Sequence, residues 1–196
     1  MKILKKALLI IAFAITLLVG SSLLYFNICC EKVVINGSSM NTTLVEGQLG
    51  VYVKKGSLIG KLERNDIIVF NYHKTDDSET KFVKRIIGKP NEHIEIKLDS
   101  KIYINGKEIK QNYLDESNYG KTYQLINITR MDITLGDDEY YVMGDNRSVS
   151  YDSRFFGPIK KKDIVGKVVL TYGKYKSYNT ETGEGKDKQF FPIRFY

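Results

Sequence analysis

Cysteine is almost absent from this 196-residue chain: there are two, and they are neighbours, Cys29 and Cys30. Adjacent cysteines give neither a disulfide framework nor the C-x-x-C spacing of a metal pair, so the fold has to hold without cross-links, with interfacial packing the plain role for the two thiols. Histidine is as scarce, with His73 in a polar stretch and His93 at the head of an alternating one. Neither lies in a recognisable Ser-His-Asp setting. A Gly-rich phosphate loop is missing, as is any His/carboxylate cluster at metal-ligand spacing, which argues against nucleotide and zinc chemistry and calls for no cofactor. The net charge of +7 comes from lysines scattered along the chain rather than from a basic helix or an aromatic-basic module. Nucleic acid is therefore not an expected partner; a basic domain beside anionic lipid or wall polymer is.

What the sequence does have is one long apolar run. Ala7 to Phe26 carries no charge, and about 20 such residues suffice to cross a hydrocarbon layer as a helix. A cleavable export signal begins in the same way, with lysines before an apolar stretch, but its apolar part is usually about 7 to 15 residues and ends in a small-x-small site. Here the run is longer and leads into Asn27-Ile28-Cys29-Cys30-Glu31-Lys32, so an uncleaved anchor in a lipid bilayer is expected. Lys2, Lys5 and Lys6 precede the run and only Glu31 and Lys32 follow closely, which places residues 1–6 in the cytoplasm, residues 7–26 across the cell membrane in a single pass and residues 31–196 on the outer face.

Beyond the anchor, short Val/Ile/Tyr/Phe segments alternate with polar residues between Gly, Asn and Asp. This pattern predicts strands at Val33–Ile35, Leu49–Val53, Asp66–Asn71, Phe82–Ile87, His93–Leu98, Ile102–Ile104, Lys107–Ile109, Tyr123–Thr129, Tyr140–Met143 and Ile164–Tyr172. Asn105-Gly106 between two of them predicts a two-residue hairpin turn. Polar stretches at Tyr72–Thr80, Leu114–Lys121 and Tyr175–Lys188 read as exposed loops, and neither an internal repeat nor a second helix is evident. The expected class is mainly β: an N-terminal transmembrane helix followed by a barrel-like or sandwich-like catalytic domain.

Three segments bear on chemistry. Gly37-Ser38-Ser39-Met40 lies only a few residues past the anchor, and on its own a Gly-Ser-Ser run is more often a turn than a nucleophile, so the turn is the preferred reading until a base is found. In Lys81-Phe82-Val83-Lys84-Arg85-Ile86-Ile87-Gly88, a period of two puts Lys84 with Phe82 and Ile86, and Arg85 with Val83 and Ile87. One of the two cations must then face an otherwise apolar side, unless its stem snorkels to water. A buried Lys84 would lose its proton more readily, because desolvation disfavours the ammonium, and a neutral amine can activate a serine hydroxyl. The third segment, Gly144 to Arg154, packs two aspartates, two arginines and three serines into eleven residues, a composition suited either to a solvated turn or to a paired loop that fixes backbone.

Taken together and in order, these segments resemble the bacterial type I signal peptidases, especially their compact Gram-positive form. The resemblance spans nearly the whole chain: the anchor, Ser39-Met40, Asn65-Asp66-Ile67-Ile68-Val69-Phe70, Val83-Lys84-Arg85-Ile86-Ile87-Gly88 and Gly144-Asp145-Asn146-Arg147 through Asp152-Ser153-Arg154. It implies a largely β catalytic domain and a serine endopeptidase in which Ser39 attacks the scissile carbonyl and Lys84 is general base. It further implies that Ser150 orients Lys84, that Asp145, Arg147, Asp152 and Arg154 support the site, and that the Ser39 N–H holds the oxyanion. The implied partners are exported preproteins, cut after a small residue with another small residue third back from the cut. Two positions depart from the family pattern: Thr42 stands where proline is common, and Gly37 where some relatives carry an oxyanion-binding serine. A tethered, non-enzymatic β-module and another Ser-Lys protease such as a self-cleaving repressor are the rival readings. The first would not need the set Ser39, Lys84 and Ser150, and the second would have no reason to carry the span.

Overall fold

The structure is a computed structural model that describes residues 2–41, 43–57, 62–73, 79–122, 132–178 and 185–196. It opens with helix α1, Lys2–Cys29, which is exposed along its apolar length and is long and apolar enough to cross a membrane. The side chains of Thr16, Ser21, Ser22 and Asn27 bond to carbonyls three or four residues back, which is how a helix in apolar surroundings satisfies its polar groups. The predicted span Ala7–Phe26 lies inside this helix, which continues to the cysteine pair.

The strands that follow are β1 (Cys30–Val34), β2 (Leu49–Lys54), β3 (Ile67–His73), β4 (Glu79–Gly88), β5 (His93–Ile96), β6 (Ile102–Ile104), β7 (Lys107–Glu108), β8 (Asp132–Thr134), β9 (Glu139–Met143), β10 (Ile159–Lys160), β11 (Ile164–Tyr178) and β12 (Gly185–Phe195). A short helix α2, Ser153–Phe156, lies between β9 and β10. Every pairing is antiparallel. One sheet runs β1-β2-β11-β3-β4-β9-β10 with β12 beside β11, and the other runs β7-β6-β5-β8. The class is mainly β with one long N-terminal helix.

Burial explains the strand writing. In β3, Ile67 and Val69 enter one apolar cluster with Tyr52 and Val168, while Ile68 and Phe70 enter another with Ile86 and Val142. Both faces of this central strand are covered, so it reads as a continuous apolar run rather than an alternating one. β9 splits in the same way: Tyr140 and Val142 face one cluster, whereas Tyr141 and Met143 join Ile87, Ile94 and Ile102 in the cluster that ties the two sheets together. The predicted hairpin is present, with Asn105 at φ 49° and Gly106 at φ 76° between β6 and β7.

Several expectations need correction. The stretch Tyr175–Lys188, read as a loop, belongs largely to β11 and β12, which run to Tyr178 and start at Gly185. Backbone pairing between the two strands needs no apolar alternation, so the pattern that finds buried strands passes over this one. Likewise β8 and β10 are too short to carry a period, and β1 starts at Cys30, directly against the helix, rather than at Val33. Helix α2 is a second helix where none was expected; Asp152 caps it by accepting the Arg154 N–H. The predicted strand Tyr123–Thr129 and the departure at Thr42 lie outside the described residues.

Candidate active site

The chain leaves β1 through Ile35 and turns at Gly37, whose φ of 80° is accessible to glycine and disfavoured for a serine. The loop then folds on itself: Asn41 N–H donates to Ser38 O and Leu44 N–H to Met40 O. Met40 and Leu44 are fully buried beside Tyr52 and Ile67, so these two apolar residues anchor the backbone immediately after Ser39. This fixes Ser39 facing β4.

On β4, Lys84 and Arg85 are both buried, 4% and 6% exposed. Lys84 Nζ donates to Ser39 Oγ at 2.8 Å and to Val83 O at 3.1 Å, and sits 5.1 Å from the centre of the Phe82 ring. Burial lowers its pKa from 10.5 to about 8, against the upward pull of the Asp152 and Asp145 carboxylates and with some help from Arg154. The same 2.8 Å contact lets the Ser39 hydroxyl donate once the amine is neutral.

Arg85 points the other way. Its Nε and Nη2 grip Asp145 Oδ1 and Oδ2 at 2.9 and 2.6 Å, its Nη1 donates to Asn65 O at 2.7 Å, and its guanidinium lies 4.2 Å from the Tyr113 ring centre. This is the bidentate, stacked arrangement that a guanidinium makes and an ammonium does not.

The segment from Gly144 to Arg154 is a largely buried, paired loop rather than a solvated turn. Asp152 takes Arg154 Nε on Oδ1 and, on Oδ2, both Arg154 Nη2 and the Gly144 N–H. Arg147 is completely buried and donates to Gly144 O, Thr122 Oγ1 and Tyr113 Oη. Asn146, which the sequence reading did not single out, donates its N–H to Ser39 O at 3.0 Å and its Nδ2 to Ser38 O at 3.1 Å. An asparagine in such a segment reads as a turn residue, and only the pairing partner 108 residues away identifies its role. The contact is so close that a Cβ on Gly144 would stand 2.4 Å from Ser39 O and 2.2 Å from Ser150 Oγ.

The predicted residues therefore gather in one place, with Ser39 and Lys84 in contact and Asp145, Arg147, Asp152 and Arg154 buried behind them. Ser150 is buried at the same spot, and its Oγ has no hydrogen-bond partner among the described residues. The Ser39 N–H donates to none of the described residues. Among the described residues no group of three His, Cys, Asp or Glu side chains is placed to hold a metal. A groove of about 680 Å³ leads to the pair, walled by Lys32–Met40 on one side and Thr80–Lys84 on the other, with Val149 and Tyr151 at its rim.

The family model described as signal peptidase, peptidase S26, matches residues 5–173. A signal peptidase I of Bacillus amyloliquefaciens is 40% identical over 157 residues, 78% of this chain and 79% of the relative. A signal peptidase IB of Staphylococcus aureus is 34% identical over 178 residues, 86% and 87% of the two chains. A solved signal peptidase I from Enterococcus faecalis is 30% identical, with a TM-score of 0.42, covering 56% of this chain and 97% of that one.

Proposed function

The chain belongs to the signal peptidase family, peptidase S26, serine endopeptidases that remove signal peptides from preproteins, and from that premise we propose that Ser39 and Lys84 form its catalytic dyad at the outer face of the cell membrane. The observation that carries this reading is the 2.8 Å contact between Lys84 Nζ and Ser39 Oγ in a site where burial draws the lysine down to about pH 8. A nucleophile within hydrogen-bond reach of a base that is partly neutral near working pH is the arrangement acyl transfer needs.

The steps follow from the contacts. Ser39 Oγ bonds to the scissile carbonyl carbon while its proton passes to Lys84 Nζ. The oxyanion that forms is stabilised by the Ser39 N–H, which is free among the described residues to donate to it. Lys84 then gives the proton to the leaving amine as the C–N bond breaks. A water then bonds to the acyl carbon as it loses a proton to the same amine, and Lys84 passes that proton to Ser39 Oγ as the ester C–O bond breaks and the acyl product leaves. An ammonium has three donors; Ser39 Oγ and Val83 O take two. In this reading the third is aimed by the unpartnered Ser150 hydroxyl, while Asp145, Arg147, Asp152 and Arg154 hold the backbone around it.

Substrate binding follows from the sheet edges. β9 pairs with β4 only over Arg85–Gly88, and β1 stands at the end of its sheet, so both walls of the groove offer strand edges. An extended peptide could add to them, as peptides add to exposed strands elsewhere, with alternate side chains entering the groove. Such alternation suits recognition of a small residue at the cut and another third back from it. Helix α1 is the membrane anchor in this reading, with residues 1–6 in the cytoplasm, the span over residues 7–26 and residues 31–196 forming the outer domain. The test is cleavage of a purified preprotein by the full chain in detergent or lipid, beside Ser39→Ala and Lys84→Ala. Cutting after a small-x-small site by the parent alone is the expected result; folded parent that leaves such preproteins intact from neutral to alkaline pH overturns it in favour of a tethered binding module.

A further inference from the structure

Thr43, four residues beyond Ser39, is held from two sides. Its hydroxyl donates to Asp145 Oδ2, and its carbonyl accepts from the Tyr196 hydroxyl at 3.2 Å. Tyr196 follows β12 and is itself fixed against β11: its N–H donates to Val169 O at 3.0 Å, and Thr171 Oγ1 lies 3.5 Å from its hydroxyl. The near end of the same loop is held by Asn146, through Ser38 O and Ser39 O. Three of these tethers run to one element, because Asn146 and Asp145 are neighbours in the Gly144–Arg154 segment. Tyr196 ties the loop to a different element, the β11–β12 pair, beside the packing of Met40 and Leu44 against Tyr52 and Ile67.

That difference matters mechanically. The Gly144–Arg154 segment reaches the main sheet through β9 and through Arg85 on β4, whereas the β11–β12 pair joins it beside β2 and β3, so Tyr196 adds a second, separate hold on the position of the loop. The main sheet also contains β4, and therefore Lys84. We infer that Tyr196 is a positioning residue that holds the Ser39 loop in register with Lys84, by fixing the Thr43 carbonyl to the same sheet that carries the lysine. The inference rests on Ser39 and Lys84 being the reacting pair. A shift of about 1 Å between a nucleophile and its base is enough to cost a large factor in rate, so one hydrogen bond at the far end of a six-residue turn has leverage on the chemistry.

The diagnostic variant is Tyr196→Phe, which removes the hydroxyl and leaves the ring's packing; Thr43→Val removes the second tether on the same residue. In the full chain in detergent, Tyr196→Phe is expected to lower kcat on a small-x-small peptide by about three- to tenfold, the range of one hydrogen bond, with KM and the Lys84-controlled pH profile unmoved. Combining it with Thr43→Val should lower kcat by more than the product of the single effects, because each tether covers for the other. Amide hydrogen exchange supplies a readout that does not depend on cleavage: in Tyr196→Phe the Asn41 and Leu44 amides should exchange faster while amides in β3 and β4 keep their parental rates. Unaltered exchange at Asn41 and Leu44, exchange accelerated throughout the chain, or singly additive losses of kcat would each overturn the inference. If the parent cuts nothing, the dyad reading fails, and the exchange arm still decides whether Tyr196 braces the loop.

Discussion

Lys84 and Arg85 sit side by side on β4, are buried to the same degree, and meet opposite fates on the two faces of the strand. Arg85 has a carboxylate gripped with two nitrogens and an aromatic ring against its plane. Lys84 has a hydroxyl, a carbonyl and a phenyl ring, and among the described residues no carboxylate within salt-bridge distance. The two nearby acids that would hold it charged, Asp145 and Asp152, are each taken up by an arginine, Arg85 and Arg154. A buried cation is thus paired with a carboxylate on one face and made easy to deprotonate on the other. The difference lies in where the carboxylates are committed rather than in depth of burial.

Exchanging the roles is the strongest way to break this comparison. Lys84→Arg places a group that does not deprotonate in proteins where a neutral base is needed, and cleavage of a preprotein is expected to fall about a thousandfold or more, as for Lys84→Ala and Ser39→Ala. Next in size, Arg85→Met strands the Asp145 carboxylate in the interior, and denaturant or thermal unfolding should register a loss of about 3–5 kcal/mol. Retained stability there would mean that the pair does not carry the loop.

The third test concerns the cost of keeping Lys84 buried. Its folded-state pKa of about 8 lies below the ordinary value of 10.5, so the unfolded chain binds the proton more tightly than the folded one between those limits. Stability should therefore rise with pH from about 8 to 10.5. Below pH 8 the penalty is present in full, at about 3 kcal/mol for a shift of this size. Lys84→Met should accordingly unfold at a higher temperature than the parent at pH 7, with the gain fading as pH rises from about 8 to 10.5, while in the parent kcat/KM climbs through pH about 8 and then levels. A flat difference in unfolding temperature across that window would sink the assignment of the shift to burial. The smallest effect is expected from Ser150→Ala, about a tenfold fall in kcat if the hydroxyl aims the third ammonium donor, with unfolding temperature near the parental value. A parental kcat would remove Ser150 from the site.

Much of this was legible in the residues, for identifiable reasons. The anchor is written in hydropathy, and the hairpin in Asn105-Gly106, because both are local. The candidate pair was legible only through resemblance, since alternation along β4 says that one cation faces apolar surroundings but not that both are buried. Arg85 shows why: periodicity assigns it to a face with Val83 and Ile87 and cannot see Asp145, which is 60 residues away. Asn146 and Tyr196 escaped for the same reason, since their partners are backbone carbonyls with no side-chain signature. β12 was missed on composition, because strand pairing there is made by backbone rather than by an apolar period.

The fastening of Ser39 to the Gly144 segment also governs when the chain acquires its chemistry during folding. The bonds that hold the serine loop join residues 102 and 108 positions apart, and contacts of such long range carry the largest loop-closure cost and form slowly. Ser39 comes early in the chain, yet the bonds to Asn146 and Asp145 that hold its loop wait until β9 and the segment after it are in place. A nascent or half-folded chain would therefore hold an ordinary serine and an ordinary, solvated lysine, and hydrolytic competence would arrive only with the closing contacts of the fold.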